Sequence, residues 1–184
     1  MAETDKLIVL DRDGVINHDS EDYIKTPEEW RPLHGSLDAI AALGAAGFRV
    51  VVVSNQSGIG RGFLKEAVLE DIHRQMLSAV AAAGGSIAGI YYCPHSPDDG
   101  CVCRKPRTGL LDRINADYGV PLAGLPIIGD KATDIELARR VGARPILVLT
   151  GYGQTTLKSL DDNDVEVFSD LGSAASALIA ECAQ

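Results

Sequence analysis

Short, continuous apolar runs alternate along the chain with longer segments whose apolar positions recur every three to four residues. KLIVL (6–10), RVVVV (49–53), IAGIYYC (87–93), LPIIGD (125–130) and PILVLTG (145–151) read as strands, and VEVF (165–168) as a weaker sixth. SLDAIAALGAAGF, KEAVLEDIHRQMLSAVAAAGG, GLLDRINADYG and TDIELARRVG read as amphipathic helices, the last opened by Thr133. A final helix is expected from about Leu171 to Ala180. The strand runs do not alternate apolar with polar residues, so both faces of each strand must be covered. That pattern predicts an α/β fold, a Rossmann-like parallel sheet flanked by helices, as a single domain over residues 1–184.

In such sheets, ligands bind beyond the carboxyl ends of the strands. The chemically informative segments all follow predicted strands: DRDG after the first, SNQSGIGRG after the second, a Cys/His loop after the third and GDKATD after the fourth. Asp11 and Asp13 flank Arg12 at one strand tip, and Asp130 arrives from another. Carboxylates so close repel unless a cation holds them, and an all-oxygen set suits Mg²⁺. Turn chemistry is the competing explanation for any one of these acids. Ser54, Asn55, Gln56 and Ser57 lie in a glycine-rich loop able to bring N–H groups to an anion, although it lacks the ending of a Walker loop. Lys105 is either an ordinary solvated lysine or a phosphate clamp.

Composition narrows the partners. The formal net charge is −9 with no basic stripe, which disfavours extended nucleic-acid binding and leaves a small anionic ligand met by locally clustered cations. No apolar run approaches the ~20 residues of a membrane span, and the start has no secretory pattern, so a soluble, cytoplasmic monomer is expected. His18, His34 and His73 carry no partner pattern; His73, among helical charges, is expected at the surface. Cys182 reads as a bystander thiol.

Three of four cysteines and one of four histidines fall in YYCPHSPDDGCVCRKP. Cys93, His95, Cys101 and Cys103 form a Cys₃His set, the closed tetrahedral shell of structural Zn²⁺. An odd number of loop cysteines makes a disulfide a poor explanation. The loop, residues 93–103, runs directly into Arg104 and Lys105, which a metal staple would hold in place.

LDRDG, SNQ, CRKP and GDKATD, in that order after those strands, resemble the motifs of the haloacid-dehalogenase-like (HAD-type) phosphohydrolases. Within them, the NQSGIGRG loop, the zinc loop and the lack of a large cap insertion are similar to the branch acting on heptose 1,7-bisphosphate. The histidinol-phosphate phosphatases are the rival branch. The resemblance implies an Mg²⁺-dependent phosphatase releasing the C7 phosphate through an aspartyl-phosphate, within nucleotide-activated heptose and lipopolysaccharide core synthesis. It implies Asp11 as nucleophile, Asp13 as acid and base, and Ser54 and Lys105 as phosphate ligands. Mg²⁺ would sit on Asp11, the Asp13 backbone carbonyl and Asp130, with Asp134 supporting that shell. Asp19, Ser20, Glu21, Asp22, Asn55, Gln56, Ser57, Arg104 and Lys131 would face the sugar, although residues 19–22 also read as a solvated acidic loop. Two departures stand out: Val15 replaces the usual Thr, and Ser54 the commoner Thr. A zinc-stapled module that binds phospholigands without turnover is the alternative of another class.

Overall fold

The computed structural model describes residues 6–160 and 165–182. Its centre is a six-stranded, wholly parallel sheet of order β3-β2-β1-β4-β5-β6. The strands are β1 (Lys6–Leu10), β2 (Phe48–Asn55), β3 (Gly89–Cys93), β4 (Pro126–Gly129), β5 (Arg144–Val148) and β6 (Glu166–Phe168). The helices are α1 (Ser36–Ala45), α2 (Ser57–Gly60), α3 (Glu66–Ala82), α4 (Gly109–Tyr118), α5 (Ala132–Arg140), α6 (Gly153–Ser159) and α7 (Leu171–Cys182). No inserted cap domain interrupts the described residues.

Alternate residues of one strand enter two separate cores. Ile8 and Leu10 join Val50, Val52, Ile128 and Ile146 beneath α1, α3 and α7. Leu7 and Val9 join Val51, Val53 and Ile127 beneath α4 and α5. This double coverage is why the strands read as unbroken apolar runs. β1 lies between β2 and β4, so its tip meets the tips of both, and the order reverses there. Val15, without the expected hydroxyl, is fully buried in the first core.

Four features differ from what the sequence pattern predicts. The glycine-rich loop contains the short helix α2. Helix α5 begins at Ala132 rather than Thr133, because the Asp134 carboxylate accepts a hydrogen bond from Lys131 N at 3.1 Å and caps the turn. The third concerns His73, which is buried at 7% exposure, not at the surface. It belongs to the α3 stripe of Leu69, Ile72, Met76 and Val80, a spacing that places it on the core face despite charged sequence neighbours. Helix α6 escaped the sequence reading because GQTTLKS carries no apolar stripe; it buries only Gly153 and Thr156.

Candidate active site

The tips of β1, β2 and β4 bring Asp11, Ser54 and Asp130 to one edge, all nearly or fully buried. Lys105 reaches in from the segment after the Cys/His loop and is itself 4% exposed, not the solvated residue its type suggests. Its Nζ stands 2.9 Å from Asp11 Oδ1 and 2.7 Å from Asp134 Oδ1, and donates to Val53 O at 2.8 Å. A buried ammonium needs such partners to keep its charge. Burial works to strip its proton, but Asp11 and Asp134 more than offset that and raise its pKa.

Asp11, Asp130 and Asp134 form a tight carboxylate cluster whose oxygens lie within 4.8 Å of one another. Burial first, then opposition from Lys105, leaves the Asp11 pKa pushed up to about 6. Asp130 is pushed up to about 7, by burial and then by the Asp11 charge. Asp134 has one oxygen on Lys105 and the other on Lys131 N, so it braces the cluster. Asp130 differs. Its Oδ2 accepts from Tyr152 N at 2.8 Å and its backbone carbonyl accepts from Thr156 Oγ1 at 2.7 Å, while Oδ1 is buried with no partner. An unpartnered carboxylate oxygen beside a second carboxylate fits a hard divalent cation such as Mg²⁺.

The supports of Asp130 come from Tyr152 and Thr156, to which the sequence pattern assigns no role. Thr150 Oγ1 donates to Gly14 O at 2.6 Å, tying this loop to the turn that carries Asp13. Gly151 has φ +55°, and a Cβ there would stand 2.2 Å from Asp130 Oδ2 and 2.7 Å from Gly14 Cα. The only sequence signal was two glycines flanking Tyr152, too common a pattern to assign.

Asp13 is engaged differently from Asp11. Its Oδ1 accepts from Arg12 Nε (3.0 Å) and Asn17 Nδ2 (2.9 Å); its Oδ2 accepts from Arg12 Nη2 (3.0 Å) and Gln56 Nε2 (2.9 Å). Burial alone would raise its pKa, but Arg12, Asn17 and Gln56 more than offset this and hold it below the usual carboxylate value.

A cleft of about 410 Å³ opens above these groups, lined by Arg12, Asp13, Asp19, Ser20, Glu21, Asn55, Gln56, Ser57, Arg104 and Lys131, with Tyr23 and Tyr152 on its walls. Arg104 Nη1 is buried there with no hydrogen-bond partner, so it has a donor to offer. Lys131 Nζ pairs with Asp19 at 2.7 Å and lies 5.1 Å from the Tyr152 ring centroid. Two expected sugar contacts are otherwise occupied. The Asn55 amide brackets the Lys105 backbone, accepting from N at 3.0 Å and donating to O at 3.2 Å. The Gln56 amide is shared among Arg12, Asp13 and Ser54. Asp22 lines a neighbouring groove with Glu28 and Arg31 rather than this cleft.

The Cys/His loop is closed upon itself. Cys93 Sγ lies 3.6 Å from His95 Nδ1, 3.5 Å from Cys101 Sγ and 3.3 Å from Cys103 Sγ; His95 Nδ1 is 3.2 Å from Cys103 Sγ. None of these cysteines is in a disulfide. Three sulfurs and one imidazole nitrogen at such separations fit a tetrahedral Zn²⁺ shell. Cys182 is exposed and in no disulfide.

Comparison with known proteins agrees with this geometry. Residues 102–174 match a family model described as HAD-hydrolase-like. Over 173 residues, the chain is 51% identical to the D-glycero-beta-D-manno-heptose-1,7-bisphosphate 7-phosphatase of Pseudomonas aeruginosa, covering 94% of this chain and 97% of that one. The Pseudomonas putida protein of the same name is 50% identical, covering 95% of this chain and 99% of that one. The solved structure of D,D-heptose 1,7-bisphosphate phosphatase from Bordetella bronchiseptica, complexed with magnesium and phosphate, matches with a TM-score of 0.93 at 46% identity, covering 96% of this chain and 99% of that one. The chain belongs to the heptose-1,7-bisphosphate 7-phosphatase family of HAD-like hydrolases.

Proposed function

We propose that this protein hydrolyses the C7 phosphate of D-glycero-D-manno-heptose 1,7-bisphosphate, giving heptose 1-phosphate for nucleotide-activated heptose and lipopolysaccharide core synthesis. The observation that carries the reading is the buried Asp11–Lys105 pair beside Asp130, whose inner oxygen is unpartnered. The names of relatives at about half identity support the substrate.

Asp11 attacks phosphorus, the bond to the sugar oxygen breaks, and an aspartyl-phosphate forms. A carboxylate needs no base for this, because it is already ionised. Lys105 favours that ionised form and, with Ser54, binds the phosphoryl oxygens. Asp13 Oδ2, the oxygen shared with Gln56, gives a proton to the departing sugar oxygen. Asp13 then takes a proton from the water that attacks the aspartyl-phosphate, which releases inorganic phosphate and restores Asp11. The donors around Asp13 favour its ionised form, so the proton it gives is the one taken from water in the preceding turnover, and Gln56 must yield its place on Oδ2 before that oxygen can carry it. Asp11, Asp130 and the Asp13 carbonyl would hold Mg²⁺, which supplies charge neutralisation between the anionic nucleophile and the phosphate. The magnesium of the Bordetella relative's structure supports that metal. Cys93, His95, Cys101 and Cys103 would hold Zn²⁺ with no open position, so its contribution is to fix Arg104 and Lys105. Arg104, with its spare donor, and Lys131 face the part of the substrate that does not react, together with Asp19, Ser20, Glu21 and Ser57.

In this reading, residues 1–184 act as one domain and as a cytoplasmic monomer. No described helix is long and apolar enough to cross a membrane. The test is phosphate release with Mg²⁺ from heptose 1,7-bisphosphate and from histidinol phosphate. The heptose substrate should win by a large kcat/KM ratio; the opposite order would overturn the substrate assignment.

A further inference from the structure

Arg12 is 1% exposed, the bulkiest of the fully buried side chains, although its two neighbours in DRDG would suffice for nucleophile and acid. A guanidinium is costly to take out of water unless each donor is matched. Here Nε goes to Asp13 Oδ1, and Nη2 to Asp13 Oδ2 and Gln56 Oε1. The remaining terminal nitrogen, Nη1, stands 3.5 Å from His73 Nε2, which reaches it from α3. The His73 ring is packed against Tyr92, with centroids 5.6 Å apart, and Tyr92 is tethered by its hydroxyl to Glu66 at 2.6 Å. Burial, then the Arg12 charge, pushes the His73 pKa down to about 4. The imidazole is therefore neutral at pH 7 and can accept at Nε2. An imidazolium there would set two cations against each other.

Arg12 and Gln56 both line the cleft and Asn17 is fully buried, but the Arg12 fork grips both oxygens of Asp13 whereas Gln56 gives one neutral amide bond to Oδ2. Of the four bonds, the one from Gln56 is both neutral and at the cleft, so a substrate oxygen can replace it at least cost. Oδ1 is thus the held oxygen and Oδ2 the working one. We propose that Arg12, braced by His73, is a positioning residue that aims Asp13 Oδ2 at the leaving oxygen of the substrate. Lysine cannot substitute for it, because a single ammonium cannot grip both carboxylate oxygens along fixed directions.

The inference rests on the phosphatase reading above, and leaving-group dependence tests it separately. An alkyl phosphate such as the heptose ester needs its departing oxygen protonated; p-nitrophenyl phosphate does not, because nitrophenolate leaves as an anion. With both substrates, kcat/KM reports the steps up to cleavage of the P–O bond. Arg12→Lys should lower kcat/KM for heptose 1,7-bisphosphate by roughly 10²-fold, the scale of general acid catalysis, and for p-nitrophenyl phosphate by less than about threefold. His73→Leu, which removes the acceptor but suits the apolar stripe, should show the same split with a loss of about tenfold for the sugar and little for the aryl ester. Thermal denaturation of each variant shows whether it is folded, and His73→Leu decides the matter if Arg12→Lys is not. Equal losses on both substrates, or no loss on either, would overturn the assignment. A wild-type protein inactive on the heptose ester would instead overturn the phosphatase reading.

Discussion

Asp11 and Asp130 illustrate how much one carboxylate's surroundings decide. Both are buried at strand tips, yet Asp11 is matched by Lys105 and a backbone amide, and Asp130 keeps one oxygen empty-handed. Asp11→Asn should lower kcat by roughly 10⁴-fold or more, as loss of a covalent nucleophile does elsewhere, without unfolding the chain. A variant as active as wild type in a phosphate-release assay would end the nucleophile assignment. Gly151 acts through Asp130. Any Cβ there meets the Asp130 carboxylate, and the positive φ adds strain. Gly151→Ala should therefore reduce activity about 10- to 100-fold and raise the Mg²⁺ concentration needed for half activity. Unchanged Mg²⁺ dependence would show that the loop does not aim the carboxylate.

At the level of elements, the Cys/His loop and α7 depend on different physics. The loop packs partly against the second core through Cys101 and Cys103, and its tip is exposed, with Val102 at 75%. So little apolar burial cannot fix the backbone that delivers Lys105, whereas four metal bonds can. Cys101→Ala, or removal of zinc by a chelator that leaves Mg²⁺ in excess, should cut kcat/KM by about 10²-fold with Asp11 intact, the cost of misplacing a catalytic group by about 1 Å. Full activity in zinc-free protein, with metal content measured directly, would exclude the staple. Helix α7 is held at its start by Asp170, whose Oδ1 accepts from Ser173 N at 2.8 Å while Ser173 Oγ takes Asp170 N at 3.2 Å. These bonds hold the Asp170 pKa below the usual carboxylate value, the backbone one foremost. A depressed folded pKa stabilises above the unfolded value of about 4 and ceases to do so as pH falls through the folded one. Asp170→Ala should cost about 1 kcal/mol at pH 7, and the difference from wild type should shrink as pH falls through the folded value, as followed by urea denaturation. A difference independent of pH would mean that packing, not the cap, is lost.

For the whole molecule, the sheet edge is a place where stability is exchanged for function. Three carboxylates share one buried region with Lys105 inside it, and burial foremost, with the neighbouring carboxylates adding to it, pushes Asp11 up to about 6 and Asp130 up to about 7. Replacing one charge should relieve that crowding. Asp130→Asn should raise Tm in metal-free buffer by a few degrees, about 1 kcal/mol for a chain of this size, and abolish the further rise that Mg²⁺ gives the wild type. A variant less stable than wild type without metal would show that the Asp130 charge is compensated locally.

The layered α/β order, the parallel sheet and the placing of DRDG, SNQ, CRKP and GDKATD at strand ends were determined by the sequence itself, because apolar period and strand length are local properties. The Cys₃His spacing was equally legible, since its members lie within residues 93–103. Tertiary structure alone decided which polar groups are free. Asn55 and Gln56 look like substrate donors in sequence, but Lys105 claims one amide across a separation of 50 residues and Arg12 and Asp13 the other across 44 and 43. His73 faces Arg12 across 61 residues, and Tyr152 N reaches Asp130 across 22. The physical reason is the same in each case. A strand or helix is selected by neighbours a few positions away, but a buried hydrogen bond is selected by whatever the packed sheet brings within reach, and no local pattern encodes that partner.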